Sequence, residues 1–141
     1  MALNLVLPSD IRDRLQGLGD VIAACSPDVE FAYLFGSAAT GALTPRSDVD
    51  VAIHATAGAD GQAVRLLVAR ALASHIRSDA VDVVLLNTAP ISLSGRVLSS
   101  RRVILERSAF ARHRFESLTL RKFHDFRIRE HRMLESRRAN G

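Results

Sequence analysis

Two acidic residues and a glycine-serine pair stand out as candidates for chemistry in the stretch LFGSAATGALTPRSDVDVAI. Gly36 and Ser37 come first, and Asp48 and Asp50 follow after an interval of ten residues. Residues two apart on a strand project from the same face, which predicts that the Cβ atoms of the two aspartates lie about 6 to 7 Å apart. Neighbouring anions repel, so a cation between them would offset the cost of this arrangement. Carboxylate oxygens at this spacing suit Mg²⁺, and the sequence therefore predicts a magnesium site.

A third candidate is Asp82, which interrupts the otherwise apolar stretch AVDVVLLN. An isolated carboxylate would be expensive to bury in such a strand. If this strand neighbours the strand of Asp48 and Asp50, Asp82 can reach the same cluster. Three carboxylates around two Mg²⁺ ions can activate an attacking oxygen and stabilise a departing pyrophosphate. The cluster therefore predicts nucleotidyl transfer.

The glycines before the aspartates suggest a site for phosphate. Gly36 and Gly41 allow the backbone to approach a ligand closely, and Ser37 adds a hydroxyl group. If the residues after Gly36 form a short helix, the amides at its N-terminus would bind the β- and γ-phosphates of a nucleoside triphosphate. A Gly-Ser pair or an Asp-x-Asp alone is common in solvated turns. Their combination with Asp82 on a later strand is much more specific for a triphosphate site.

The elements that must position these residues follow from hydrophobic periodicity. Short apolar runs that stop at glycine or polar residues predict strands, and apolar residues at intervals of three and four predict helices. The order of these elements predicts an α+β fold, with a mixed β-sheet flanked by helices and a C-terminal helical tail. The predicted helices cover residues 9–25 and 62–76, and residues 91–99 are predicted to form a short turn or helix. The predicted strands cover residues 30–35, 48–54, 80–87 and 101–106.

The strand DVDVAIH is expected to have two different faces. Val49, Val51 and Ile53 share one face, which we expect to enter the core. The opposite face carries the two aspartates together with Ala52 and His54, and we expect it to be polar. His54 is interpreted as a residue at the edge of the site rather than a ligand.

Charge is divided unevenly along the chain. Residues 1–95 contain six arginines and ten acidic residues, whereas residues 96–141 contain twelve arginines, one lysine and five acidic residues, so the net charges are −4 and +8. We therefore divide the chain into a domain over residues 1–107 and a basic helical tail over residues 108–141. Such a tail indicates an acidic partner or a nucleic acid, although a solvated helix can have the same composition.

Composition also narrows the class of protein. No apolar run approaches the length of about 18 residues that a membrane span requires, and no basic residues precede the short apolar segment at the N-terminus. We therefore expect a cytoplasmic protein without a membrane segment. Cys25 is the only cysteine, which excludes an intramolecular disulfide and a cysteine cage for a metal.

The order of the candidate residues resembles the minimal nucleotidyltransferase (MNT) family of the DNA polymerase β superfamily. Members share a Gly-Ser pair, an Asp-x-Asp after ten residues and a third acid on a later strand, which correspond here to Gly36, Ser37, Asp48, Asp50 and Asp82. The resemblance covers most of the first domain and implies the polymerase β-like nucleotidyltransferase fold for it. The tail resembles the C-terminal helical segment of MntA-type antitoxins.

For that subfamily, the resemblance implies a cytoplasmic antitoxin paired with a HEPN-domain ribonuclease toxin in a HEPN/MNT (type VII) toxin-antitoxin system. The antitoxin would transfer AMP from ATP to a tyrosine hydroxyl of the toxin, an AMPylation that silences the nuclease. In this mechanism Asp48, Asp50 and Asp82 bind Mg²⁺, Asp82 also serves as a general base, and Gly36 and Ser37 hold the phosphates. The tail would dock on the toxin.

Three alternatives remain open. The first is a transferase that acts on a small molecule such as an aminoglycoside, but such relatives carry an added substrate-binding domain, for which the 35 residues after the last predicted strand leave little room. The second is an antitoxin that neutralises its partner by binding alone. The third is direct binding of RNA by the tail. The aromatic residues of the tail are all phenylalanines at near-helical spacings, which favours packing and therefore protein docking over RNA.

Overall fold

The fold places a four-stranded β-sheet between two layers of helices. The computed structural model describes residues 3–140. Its elements, in chain order, are α1 (Ile11–Arg14), α2 (Leu18–Cys25), β1 (Val29–Phe35), α3 (Ser37–Thr40), β2 (Val49–Ala55), α4 (Gly61–Ile76), β3 (Val81–Leu85), α5 (Ile91–Ser100), β4 (Arg102–Glu106) and α6 (Ala109–Asn140).

The sheet is mixed, with the strand order β3-β2-β1-β4. Strand β1 pairs antiparallel with both β2 and β4, whereas β2 and β3 are parallel and are connected through helix α4. The α+β fold with a mixed sheet, flanking helices and a C-terminal helix is thus confirmed. This topology brings the C-terminal end of β1 and the N-terminal ends of β2 and β3 together along the same border of the sheet, which is called its edge below.

One face of the sheet carries the core that the alternation in β2 predicts. Val49, Val51 and Ile53 are fully buried there, together with residues of α2 and α4. Asp60 is the N-cap of helix α4. Its carboxylate accepts a hydrogen bond from the Ala63 amide and satisfies one of the free donors of the first turn. This layer holds β2 and β3 in register.

The expectation of a polar opposite face is wrong beyond Asp50. Ala52 is fully buried there in a second apolar cluster with Phe31 and Tyr33 of β1. Helices α5 and α6 cover this cluster with Val97, Leu98 and Phe115, among others. The pattern of β2 could not predict this layer, because the residues that bury Ala52 come from distant parts of the chain.

The prediction of one continuous helix over residues 9–25 is also wrong. The segment forms two helices, α1 and α2, with Gly17 between them at a φ of 80°. Glycine adopts this left-handed conformation at little cost, so the chain turns at this point rather than continuing the helix. The apolar residues Ile11, Leu18 and Ile22 still face the core.

Helix α6 is one continuous helix of 32 residues. Its first half packs on β1 and α5, whereas every residue from 124 to 140 is exposed. Within residues 3–140, none of the helices combines the length and the apolar character that crossing a membrane requires.

Candidate active site

Strand pairing brings the predicted acidic residues to the same edge of the sheet. Asp50 lies on β2 directly opposite Asp82 on the parallel strand β3. Asp48 precedes the first residue of β2, whose amide donates a hydrogen bond to the carbonyl of Ala80 over 2.8 Å. The three carboxylates therefore belong to one region, although they come from two segments that are more than 30 residues apart.

The three carboxylates differ in exposure. Asp50 is half-buried, whereas Asp48 and Asp82 are exposed. Asp82 avoids the cost of burial, because β3 is an edge strand of the sheet and leaves this side chain in solvent. Its strand lies beside the strand of Asp50, as a cluster of the three acids requires. The exposure of Asp82 would allow a substrate group to approach it.

The glycine of the Gly-Ser pair fits closely against the buried carboxylate. Gly36 follows Phe35, the residue of β1 that pairs with Asp50. Its φ is 68°, and a Cβ atom at this position would lie only 2.6 Å from Asp50 Oδ2. A side chain is excluded here both by backbone strain and by lack of space. The loop can therefore lie directly beside the carboxylate only with glycine at this position.

A short helix follows this glycine, as predicted. Gly36 is the N-cap of α3, and its carbonyl accepts hydrogen bonds from the amides of Ala39 and Thr40 over 3.1 and 3.2 Å. The first two amides of the helix, those of Ser37 and Ala38, have no carbonyl one turn earlier to receive them. Donors of this kind favour an anion. Gly41 ends the helix in a left-handed conformation.

The electrostatics of the region favour a cation. Burial, and then the nearby carboxylates of Asp82 and Asp48, raise the pKa of Asp50, while Arg96 opposes this effect. The donors are carboxylate oxygens, which Mg²⁺ prefers, and the neighbouring loop offers amides to a phosphate. Within residues 3–140, no set of three or more His, Cys, Asp or Glu side chains is already arranged around a cation position. This donor set fits a Mg²⁺ ion whose coordination is completed by water and substrate phosphates.

His54 does not belong to this cluster. It lies four residues further along β2, about 13 Å from Asp50 at the rise of a strand. Its Nδ1 is 3.0 Å from Glu30 Oε2, and its ring stacks on Phe31 with a centroid distance of 4.8 Å. Burial lowers the pKa of His54, and Glu30 opposes this effect. The structure thus places His54 against Glu30 and Phe31, away from the aspartates, rather than at the edge of their site.

Sequence reasoning did not identify the residues that α5 brings to the site. Arg96 is the cation that acts on Asp50, and the Ser100 hydroxyl accepts a hydrogen bond from the Gly36 amide over 3.0 Å. Neither residue carries a local motif. Only the pairing of β4 with β1, which places the end of α5 beside the glycine loop, reveals them.

Comparison with known proteins identifies the family to which the fold belongs. The family model for polymerase beta nucleotidyltransferases matches residues 20–110. No curated protein matches the sequence.

Several solved structures share the fold. A chain from a crystal structure of a toxin-antitoxin with AMP-PNP is 23% identical, with a TM-score of 0.70 over 89% of this chain and 96% of that chain. A chain from an MntA-HpeT toxin-antitoxin with a tyrosine-to-alanine substitution is 26% identical, with a TM-score of 0.67 over 83% and 91% of the two chains. A chain from a Shewanella oneidensis complex of a tri-AMPylated HEPN toxin with an MNT antitoxin is 21% identical, with a TM-score of 0.67 over 89% and 97%.

Proposed function

This chain belongs to the polymerase beta nucleotidyltransferase family, and from this premise we propose that it is a cytoplasmic antitoxin that AMPylates a HEPN-domain ribonuclease toxin. It would transfer AMP from ATP to a tyrosine hydroxyl of the toxin and so silence the nuclease. The observation that carries this proposal is the meeting of the Gly36-Ser37 loop with Asp48, Asp50 and Asp82 at one edge of the sheet.

The solved structures support the finer parts of the proposal. One related toxin-antitoxin was crystallised with AMP-PNP, an ATP analogue, and another complex contains a tri-AMPylated HEPN toxin. Each is similar to this chain over more than four fifths of its length. These relatives make ATP the first nucleotide to test and a HEPN toxin the first acceptor.

The residues of this chain divide the work of the reaction between them. The amides at the start of α3 and the Ser37 hydroxyl would bind phosphate oxygens of ATP, and Asp48, Asp50 and Asp82 would hold Mg²⁺. Bound Mg²⁺ would supply positive charge that neutralises the triphosphate and the departing pyrophosphate. Gly36 keeps this loop beside Asp50 because it carries no side chain.

The transfer itself exchanges one phosphorus-oxygen bond for another. The tyrosine oxygen of the acceptor would attack the α-phosphorus of ATP, and the bond from that phosphorus to the bridging oxygen would break, releasing pyrophosphate. Asp82, which is exposed at the edge of the sheet, would accept the proton of the tyrosine hydroxyl. The products are AMP-tyrosine on the toxin and pyrophosphate.

The exposed part of α6 supports a protein as the acceptor. Several of its apolar side chains are exposed, and Phe126 and Met133 are 36% and 58% exposed. The chain offers no second domain for a small-molecule acceptor among residues 3–140. A partner protein docked on α6 would instead bring its tyrosine to the site.

The proposal is tested by incubating the protein with ATP, Mg²⁺ and the product of the neighbouring gene, which the proposal expects to be a HEPN toxin, followed by intact-mass spectrometry of that product. We expect the mass to increase by one or more AMP units. The double variant Asp48→Ala/Asp50→Ala should lose several kcal/mol of transition-state stabilisation, which lowers the rate at least about 100-fold. Its melting temperature should equal or exceed that of the wild type, because the substitutions remove repulsion between carboxylates.

The matched control removes two exposed carboxylates that are not part of the proposed site. Asp13→Ala/Asp20→Ala alters helices α1 and α2, where both side chains are exposed, and should retain transfer. Undiminished transfer by Asp48→Ala/Asp50→Ala would contradict the assigned site. A wild-type protein that binds and inhibits the toxin without changing its mass would instead be an antitoxin that acts by binding alone.

A further inference from the structure

We infer that Ser100 is a positioning residue that fixes the phosphate-binding loop through the Gly36 amide, an inference that rests on the proposed function of that loop. The Gly36 N–H donates to Ser100 Oγ over 3.0 Å, in a partly buried position. Ser100 is the last residue of α5 and lies 64 positions from Gly36 in the sequence. It would act on the reaction through the loop, without contact with ATP.

The need for such a residue follows from where the β-sheet ends. Strands β1 and β4 pair in antiparallel register up to Leu34 and Arg102. One more step of two residues would place Gly36 opposite Ser100, but β4 does not extend that far. The Ser100 hydroxyl therefore accepts the hydrogen bond of the Gly36 amide that a backbone carbonyl of β4 would otherwise accept. This hydrogen bond continues the pairing of β1 with β4 by one step into the loop.

The conformation of Gly36 makes this hydrogen bond important. With a φ of 68°, and with Asp50 Oδ2 beside the position of a missing Cβ, the residue occupies a narrow place between β1 and α3. Glycine can adopt many backbone conformations, so a loop that contains it needs contacts with other residues to stay in one of them. Since the amides of α3 follow at once, a shift of Gly36 would move the donors that bind phosphate.

The residue that follows Ser100 is anchored on both sides. The Arg101 guanidinium donates to the Leu98 carbonyl over 2.7 Å and lies 3.3 Å from the Glu116 carboxylate of α6. The junction between α5 and β4 therefore has a contact with α6 on one side and a contact with the glycine loop on the other. A positioning residue requires this kind of support, because a mobile hydroxyl would not fix the loop.

The test compares two adjacent serines. Ser100→Ala removes the acceptor of the Gly36 amide, whereas Ser99→Ala removes an exposed hydroxyl that donates to the Arg96 carbonyl at the same end of α5. We expect Ser100→Ala to raise the KM for ATP about 3- to 10-fold, the range that corresponds to one lost hydrogen bond. The kcat and the KM for the toxin should change by less than about 2-fold. Ser99→Ala should resemble the wild type, and Ser100→Thr, which keeps the hydroxyl, should restore the KM for ATP.

A second measurement reads the loop directly without ATP or toxin. In nuclear magnetic resonance spectra of the free protein, Ser100→Ala should shift the Gly36 amide signal and accelerate its hydrogen exchange, and Ser99→Ala should do neither. An unchanged Gly36 amide in Ser100→Ala would overturn the inference. So would a lower melting temperature and kcat with an unchanged KM for ATP, because that result would indicate a purely structural role.

These measurements separate the inference from the proposed function. If the wild-type protein transfers no AMP, the proposed function fails, but the Gly36 amide signal and the affinity for AMP-PNP with Mg²⁺ still test Ser100. Weaker AMP-PNP binding by Ser100→Ala, with wild-type binding by Ser99→Ala, would then support the inference. Equal binding by the two variants would contradict it.

Discussion

At the scale of single residues, the two ends of β2 provide different surroundings for ionisable groups. Near the start of the strand, burial and two other carboxylates raise the pKa of Asp50. Near its end, burial lowers the pKa of His54, although the adjacent Glu30 opposes the change. In both places the fold favours the neutral side chain. Only Asp50 lies in the region of the proposed Mg²⁺ site, where the cation would stabilise the charged form of the carboxylate.

The position of His54 predicts a dependence of stability on pH. Its folded-state pKa lies below that of the unfolded chain, so the unfolded chain takes up a proton more readily as the pH falls. The contribution of neutral His54 is therefore present above the unfolded pKa of about 6.5 and is lost as the pH falls below it. We expect the free energy of unfolding to fall less steeply between about pH 8 and pH 5 in His54→Gln than in the wild type.

The control for this prediction is His124→Gln, because His124 is exposed on α6. Urea unfolding over the pH range should give the wild-type slope for this control. The charged groups that share cavities with His54 are Glu30, Arg114 and Lys122, and all three remain in both variants. Identical slopes for His54→Gln and the wild type would show that the burial of His54 does not disfavour its charged form.

Residues of the candidate site differ in how readily the sequence reveals them. Gly36, Ser37, Asp48 and Asp50 could be selected because their order and spacing lie within one short segment, and their roles remain predictions. Ser100 could not be selected, because its role depends on the register of β4 against β1 and on no pattern around it. A contact between residues far apart in the sequence leaves no local periodicity.

At the scale of elements, a small ionic cluster attaches α6 to the sheet. The carboxylate of Glu116, which is only 7% exposed, accepts two hydrogen bonds from Arg112 over 2.9 and 3.0 Å and lies 3.3 Å from Arg101. Arg112 also donates to Glu106 over 2.7 Å. Since Arg101 precedes β4 and Glu106 ends it, the cluster links α6 to both ends of this edge strand.

This cluster predicts a specific loss of stability in Glu116→Gln. The substitution keeps the shape of the side chain but removes the charge that faces two arginines. Hydrogen bonds to charged groups contribute about 1.5 to 3 kcal/mol to stability. We expect the free energy of unfolding to fall by about 1.5 to 3 kcal/mol in urea denaturation at neutral pH.

Glu135→Gln is the matched control on the same helix. Glu135 pairs with His131 in a largely exposed position, so its loss should cost no more than about 0.5 kcal/mol. Burial and the Glu116 carboxylate also raise the pKa of the buried Tyr33 hydroxyl, so Glu116→Gln should lower that pKa. Equal stability of the two variants would mean that the desolvation of Glu116 cancels its attraction to the arginines.

The elements show where sequence patterns suffice and where they fail. Alternation and apolar runs predicted all four strands, because each strand buries at least one face in a regular order. The break at Gly17 was missed, since the apolar spacing continues across it and only the left-handed backbone reveals the turn. The burial of Ala52 was missed for another reason, because it depends on coverage by α5 and α6.

At the scale of the whole molecule, charge and exposure are concentrated in the same part of the chain. The 17 residues from 124 to 140 extend α6 by about 25 Å beyond the part that packs on the sheet. This segment carries five arginines against three acidic residues, together with exposed apolar side chains. An exposed helix with apolar residues gains most of its stability from a partner. The prediction of a basic tail that docks on a protein is consistent with this segment.

The docking prediction can be tested on one side of this helix. Phe126 and Met133 are seven residues apart and therefore lie on the same side, where both are exposed. We expect Phe126→Glu/Met133→Glu to lower the melting temperature of the free protein only slightly, through loss of the stacking of Phe126 on Phe123, and to weaken binding of the HEPN toxin about 30-fold or more, as loss of a central apolar contact does.

His124→Glu/His131→Glu introduces the same two charges, also seven residues apart, on the roughly opposite side of the helix. Its affinity for the toxin, measured by calorimetry, should lie within about 3-fold of the wild type, because a docked helix buries one side and leaves the other in water. Equal weakening by both pairs, together with a steep loss of affinity as salt increases, would mean that general electrostatic attraction holds the partner. An apolar interface requires instead that only the Phe126 and Met133 side is sensitive and that moderate salt has little effect, since burial of apolar surface does not depend on screening.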